Sequence, residues 1–247
     1  MGEWLEARVT EKVRWHDGLF SLRFEAPLPA FKAGQFLRVG LDVDGERVAR
    51  PYSLVNAPGE TPHEIYFNVV PEGPLSPRLA RLEAGDSLYV HSSVTGTMVM
   101  DRTPAHRHLW LLATGTALGP FLSMLKTDAP WQRAERVVLC HSVRTAAELV
   151  YADVIRALLQ RYGNRLTYVP LVTREVVTGA LHERIPAAID SGDIERLAGL
   201  SLRPEDAHVM LCGNSEMIES ARERLESRGL RRHTRREPGH ITTEKYH

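Results

Sequence analysis

Leu109-Trp-Leu-Leu-Ala-Thr-Gly-Thr-Ala-Leu-Gly-Pro-Phe-Leu-Ser-Met-Leu125 joins an apolar run to a glycine turn and then to an apolar-periodic segment. Leu109 to Ala113 is short and apolar and runs up to Gly115, the composition of a parallel strand buried on both faces. Phe121, Leu122, Met124 and Leu125 recur at helical spacing, so the stretch predicts strand, loop, helix. Gly115 and Gly119 would let backbone pass close to a ligand, and the free amides of a helix start suit a pyrophosphate. Ala117 replaces the second glycine of Gly-x-Gly-x-x-Gly, and no Lys-Ser or Lys-Thr follows as in a Walker A loop. Taken alone the loop reads equally well as a tight turn. Its position decides the fold, because the chain before it reads as all-β and the chain after it as alternating α/β.

The 247 residues leave room for two domains of about 100 to 150 residues each. A formal net charge of +0 argues against general attraction to nucleic acid or anionic membrane, which would need a local patch. There is no apolar run of about 18 residues, Met1-Gly-Glu-Trp-Leu-Glu lacks the regions of a signal peptide, and Glu6 stands where a myristoylation signal needs Ser or Thr. Cys140 and Cys212 are too few for a disulfide framework or an iron-sulfur cluster. A reduced cytoplasmic protein is expected.

From Trp4 to Val99 short alternating segments are separated by turn residues. Trp4 to Trp15 can pair with Gly18 to Glu25, and Gln35 to Val43 with Arg47 to Val55 across Asp44-Gly45, a strong hairpin signal. With Glu64 to Val70 and Ser87 to His91, these predict an antiparallel barrel or sandwich capped by a short helix in Leu75 to Leu82. Arg50-Pro-Tyr-Ser53 offers a guanidinium, a flat ring and a hydroxyl; Arg50 and Tyr52 share a face of an extended chain, suiting a phosphate and a ring system. An edge strand with a solvated Arg and a packed Tyr explains the same four residues. Glu72-Gly-Pro-Leu-Ser76 is a second candidate phosphate turn, or simply a helix capped by Ser76.

Arg50-x-Tyr-Ser53 after Ala33-Gly-Gln-Phe36, then Gly73-Pro-Leu-Ser-Pro-Arg-Leu79, Gly115-Thr-Ala-Leu-Gly-Pro120 and Cys212-Gly213, with Glu244 near the end, resembles the ferredoxin-NADP reductase family. The likeness is to its bacterial ferredoxin (flavodoxin) members and covers essentially the whole chain. It implies an N-terminal antiparallel β-barrel for FAD (1-100) and a C-terminal doubly wound α/β parallel sheet for NADP (101-247), with a tail reaching FAD. It places Arg50 on the FAD pyrophosphate, Tyr52 on the isoalloxazine and Ser53 near flavin N5. Pro51, Phe67, Pro74, Leu75, Ser76 and Thr116 complete the set, and Tyr246 and His247 approach the adenine side. His stands last where a larger aromatic is expected.

Met100 to His108 is polar and aperiodic and marks the predicted domain boundary. His106-x-His108 lacks a third ligand at metal spacing, so a solvated linker and no metal are expected. Beyond the hinge, Arg136 to His141, Leu166 to Val172 and Ala207 to Cys212 read as strands. Ala146 to Tyr162 reads as one helix, and Asn214 caps another that stops at Gly229. Ligands of such sheets sit outside the carboxyl ends of the strands. There Arg144 stands where an NAD site often carries an acid; Thr173-Arg174 and Arg184 follow the next strand. Each arginine alone reads as surface charge; the resemblance makes the three a site for the 2′-phosphate of NADP, with Val143 and Thr173 beside them. It also sets Cys212 by the nicotinamide, Asn214, Ser215 and Glu216 in the adjoining loop, and Glu244 near both rings.

The expected protein is an FAD-dependent enzyme that moves electrons between NADPH and ferredoxin or flavodoxin, with Ser53, Tyr52, Cys212 and Glu244 nearest the chemistry. Arg228-Gly-Leu-Arg-Arg-His-Thr-Arg-Arg236 reads as a solvated helix end or as a dock for such acidic carriers. A monomer is expected, without nucleic acid or membrane. A flavin reductase using free flavin, or a non-catalytic sensor of the same fold, would share much of this pattern.

Overall fold

The computed structural model describes residues 2–246. Its first unit is built on six strands: β1 (Trp4–His16), β2 (Leu19–Glu25), β3 (Phe36–Val43), β4 (Glu46–Ser53), β5 (His63–Asn68) and β6 (Ser87–His91). They form one sheet in the order β4-β3-β6-β1-β2-β5, with antiparallel neighbours. Asp44 and Gly45 turn β3 into β4 with φ of 53° and 85°, the double positive φ that matches the twist of a two-residue hairpin. Beyond β4, Leu54 bridges Ile65, and Val55 N donates to Glu64 O at 2.9 Å, so the two outer strands meet and close the sheet as a barrel. Leu22, Phe24, Leu37, Val39, Ile65, Leu88 and Val90 are buried inside it.

The helix α1 (Ser76–Leu79) adds Leu75 and Leu79 to that core, with a proline in its first turn as the sequence predicts. The Ser76 cap, the alternative to a phosphate turn here, does not form. Leu75 precedes the helix, and Ser76 Oγ instead accepts from Val70 N at 2.9 Å, which ties the incoming turn to the end of β5.

The second unit holds a parallel sheet of β7 (His108–Thr114), β8 (Arg136–Val143), β9 (Leu166–Val172), β10 (Ala207–Asn214) and β11 (Ile241–Tyr246). The strand order is β11-β10-β7-β8-β9, so the chain first builds outward from β7 on one side and then crosses to β10 on the other. That reversal opens a crevice at the carboxyl ends of β7 and β10, where open α/β sheets bind ligands. The connecting helices are α2 (Leu118–Leu125), α3 (Ala129–Arg133), α4 (Ala152–Tyr162), α5 (Ile185–Ser191), α6 (Asp193–Ala198) and α7 (Ser215–Ser227).

By compactness the first unit runs to Val99 and also takes in Gly119–Thr127, most of α2; the second comprises Met100–Leu118 and the chain from Asp128 onward. Ser123 Oγ of α2 donates to Asn56 O at 2.8 Å and Lys126 Nζ to Val55 O at 3.3 Å. Gly119 lies where a Cβ would meet Val55 Cγ2 at 3.2 Å, so its missing side chain serves this packing.

Two expectations for the second half change. The helix predicted from Ala146 is a 3-10 turn over Ala146–Glu148, then a break in which buried Tyr151 adopts φ 60°, then α4. Apolar spacing persists through the break, which is why periodicity alone runs the two together. The stretch before β7 is not a solvated linker at its histidine: His106 is half-buried, its ring 5.4 Å from that of His208, which in turn meets His233 at 5.9 Å.

Candidate functional site

On the barrel, the candidate residues cluster on edge strand β4 and the turn before α1. Along its own length β4 pairs only with β3, the closing contacts coming from Leu54 and Val55 beyond its end, so its other side offers unpaired backbone. Arg50 is exposed, and its Nη1 donates to Ala49 O at 2.8 Å without reaching any carboxylate among the described residues, which leaves the cation for a ligand. Tyr52, two residues on, is half-buried, its ring 5.8 Å from Phe67 in an edge-to-face contact. Phe67 is itself buried and stacks on Phe20 at 6.1 Å, so it braces Tyr52 from below. Burial pushes the Tyr52 hydroxyl up to about 12, opposed by the Arg50 charge, so the phenol stays protonated. Pro51 is exposed, Ser53 buried, and Pro74 exposed at the start of the turn. Leu75 is a core side chain, so only its backbone can face a ligand, while Ser76 keeps its hydroxyl proton to give. A cation, a braced flat ring and a turn with free donors fit a flavin nucleotide.

On the α/β unit the candidate residues lie at the carboxyl ends of the strands. Thr116 stands in a 3-10 turn, Gly115–Ala117, entered by Gly115 at φ 54°. That turn is pinned by His141 of β8, whose Nε2 lies 3.0 Å from Gly115 O and therefore donates to it. Burial drives the His141 pKa down to about 4, so the ring is neutral at ordinary pH. A lone histidine in an apolar strand carries no sequence signal for this role, and motif reading passes over it.

Past β8 and β9 the backbone continues the parallel ladder: Thr173 N donates to Val143 O at 3.0 Å, and Arg174 N to Arg144 O at 2.9 Å. Arg144 and Arg174 are thereby adjacent, both exposed, with no carboxylate partner among the described residues. Arg184, also exposed, immediately precedes α5. Two guanidiniums at strand ends and a third just before α5, none with a carboxylate partner among the described residues, fit a terminal phosphate group.

At the end of β10, Gly213 adopts φ 129°, and a Cβ there would stand 2.0 Å from Thr114 Oγ1. Thr114 Oγ1 accepts from Asn214 N at 2.9 Å, and Asn214 Oδ1 caps α7 by accepting from Met217 N at 3.0 Å. Ser215 and exposed Glu216 form the first turn of α7, an end whose amides carry the partial positive charge that suits an anion. Cys212 is fully buried and pairs in register with Glu244 of β11. Burial first, and then the Glu244 charge, pushes the thiol well up, which rules out a thiolate nucleophile. Glu244 is half-buried, its Oε1 has no hydrogen-bond partner among the described residues, and burial raises its pKa to about 7. Tyr246 follows on the same strand, hydrogen-bonded to Cys212; His247 lies outside the described residues.

Residues 6–98 match the oxidoreductase FAD-binding domain family and residues 111–223 the oxidoreductase NAD-binding domain family. The flavodoxin/ferredoxin–NADP reductase of Escherichia coli is 45% identical over 247 residues, covering 100% of both chains. The ferredoxin–NADP reductase of Pseudomonas aeruginosa is 39% identical, over 96% of this chain and 95% of that one. Among solved structures, a ferredoxin NADP+ reductase from Neisseria gonorrhoeae with bound FAD and NADP matches with a TM-score of 0.94 at 30% identity, covering 99% of each chain.

Proposed function

The chain belongs to the flavodoxin/ferredoxin–NADP reductase family, and from that premise we propose which of its residues hold each cofactor and carry the reaction. It is an oxidoreductase that binds FAD and NADP and moves electrons between NADPH and ferredoxin or flavodoxin. When bound, the two cofactors supply hydride exchange between nicotinamide and flavin and the release of single electrons to the carrier.

On the barrel, Arg50 neutralises the FAD pyrophosphate, and Tyr52, braced by Phe67, lies flat against the flavin and keeps water from it. Ser53 bonds near the reacting nitrogen. Pro51, Pro74, the Leu75 backbone and Ser76 complete the cradle. On the α/β unit, Thr116 and Tyr246, with His247, are further FAD contacts. Arg144, Arg174 and Arg184 hold the 2′-phosphate of NADP with Val143 and Thr173 as the floor, and Asn214, Ser215 and Glu216 bound the nicotinamide side. Cys212 stays a neutral thiol beside the reacting ring. Glu244 can hold or release a proton near neutral pH, as an acid–base group should. A cytoplasmic monomer with acidic carriers completes the proposal; no helix among the described residues is long and apolar enough to cross a membrane.

The observation that carries the cofactor assignment is the backbone-bonded pair Arg144–Arg174, free of any acid among the described residues. Anaerobic titration followed in the visible spectrum tests it: the bound flavin should bleach quickly with NADPH and slowly with NADH. In the double variant Arg144→Ala with Arg174→Ala, NADPH should weaken by about 100-fold or more, charge-assisted bonds being among the strongest, while NADH changes little. Unchanged NADPH kinetics would remove the phosphate assignment.

A further inference from the structure

β9 is the outer strand of the parallel sheet, and the chain leaves it at Val172 only to return at Leu181, which bridges Leu171 in parallel. Val172 N donates to Leu181 O at 2.9 Å and Leu181 N to Pro170 O at 3.0 Å. Residues 173–180 between these bonds form an irregular loop in which Val176 is 84% exposed, so little apolar burial anchors it. Arg174 rides on the outgoing side of this loop, and Arg184 follows the return. Arg144 and Arg174, joined by their backbones, carry like charges that repel each other whenever no phosphate is present.

His182 closes the loop at its base. Its Nδ1 lies 3.0 Å from Val172 O and 2.9 Å from Glu175 O. Both partners are carbonyls, so Nδ1 must carry the proton and donate to both. The two acceptors straddle Thr173 and Arg174, and the donor sits two residues before Arg184. A second tie runs to the neighbouring loop: the Glu175 carboxylate accepts from Ala146 N, and Glu148 Oε2 accepts from Arg144 N at 2.9 Å. Glu175 and Glu148 are thereby engaged by backbone amides, and neither forms an ion pair with Arg144 or Arg174 among the described residues.

We propose that His182, through its shared Nδ1–H, is a positioning residue that holds Arg174 and Arg184 in register with Arg144 and so sets the preference for the 2′-phosphate, a role that rests on the function proposed above. The loop is ordered before the cofactor arrives, and the phosphate need not supply the ordering.

The test compares the holoenzyme with His182→Ala, His182→Asn and His182→Gln. Asn places an amide N–H where Nδ1 stands, whereas Gln places it where Nε2 stands. Binding of 2′-phospho-AMP and of 5′-AMP is measured by calorimetry, and KM and kcat for NADPH and NADH by steady-state kinetics. In His182→Ala and His182→Gln, 2′-phospho-AMP affinity should fall and the NADPH KM should rise, each by about tenfold, the equivalent of about 1.4 kcal/mol. In the same two variants 5′-AMP, the NADH KM and kcat should stay within about twofold, and His182→Asn should restore the phosphate preference. Equal weakening of both nucleotides, no effect in His182→Ala, or no rescue by Asn would overturn the proposal. The Arg144→Ala, Arg174→Ala protein separates the two levels. If it binds 2′-phospho-AMP normally, the phosphate site itself is wrongly placed; if it loses binding while His182→Ala does not, only the role of His182 falls.

Discussion

At the scale of single residues, the sharpest feature is the carboxyl of Glu244, which lies beside Cys212 without a partner for Oε1 among the described residues. Its folded pKa of about 7 exceeds the ordinary carboxylate value near 4.5, so the folded chain keeps this proton while the unfolded chain has already lost it. Stability from this group is therefore complete below about pH 4.5 and is lost as pH rises from there through about 7. Glu244→Gln should leave acid-side stability unchanged and raise stability at pH 8 by up to about 3 kcal/mol, read as a higher denaturant midpoint. The same substitution should flatten the pH dependence of NADPH-driven flavin reduction around neutrality. An unchanged midpoint at pH 8 would mean that the carboxylate finds solvation the geometry does not show.

Elements act here chiefly through how they end. β10 closes with Cys212-Gly213-Asn214, which supply in turn a buried thiol, a bend with no room for a side chain, and a helix cap. Gly213→Ala must displace Thr114 from Asn214 N and must also hold φ 129°, a region costly for any residue with a Cβ. The variant should lose about 2 kcal/mol or more of stability in urea unfolding and bind NADP more weakly. Adding Thr114→Ala should recover only the part due to the clash, since the backbone strain remains. Full recovery would show that φ costs nothing here. His141 makes the same point from β8, because one neutral ring inside the sheet fixes the carbonyl of Gly115.

For the molecule as a whole, zero net charge hides an uneven distribution. Arg231, Arg232, Arg235 and Arg236 are all exposed, and none has an acidic partner among the described residues, whereas Arg228 is paired with Glu195 at 2.6 Å. Such a run would steer an acidic electron carrier and lose its pull as salt rises. Replacing those four arginines by glutamine should raise the KM for ferredoxin or flavodoxin about tenfold at low ionic strength, flatten its dependence on salt, and leave kcat nearly unchanged. Stopped-flow reduction of the carrier across a salt series reads all three. A carrier KM that is unaffected at low salt would place the docking face elsewhere.

The sequence alone determined the division into an all-β half and an α/β half, the strands that build each, and the type of residue at every strand end. These follow from local rules: period-2 and buried-strand patterns, the Asp44-Gly45 turn, and the Asn214 cap preceding an apolar stripe. It also carried the motif Arg50-x-Tyr-Ser53 and the three arginines, which become candidates only through the family resemblance of the whole pattern, since each taken alone reads equally as scaffold or surface charge. Only the tertiary structure decided which groups are held and by what. The neutral ring of His141 under Gly115, the straps from His182 and Glu175, the packing use of Gly119 and the turn-tying use of Ser76 join residues distant in sequence or in different elements. Such roles depend on burial and on which carbonyl comes within hydrogen-bond reach, and no periodicity or spacing along the chain encodes either.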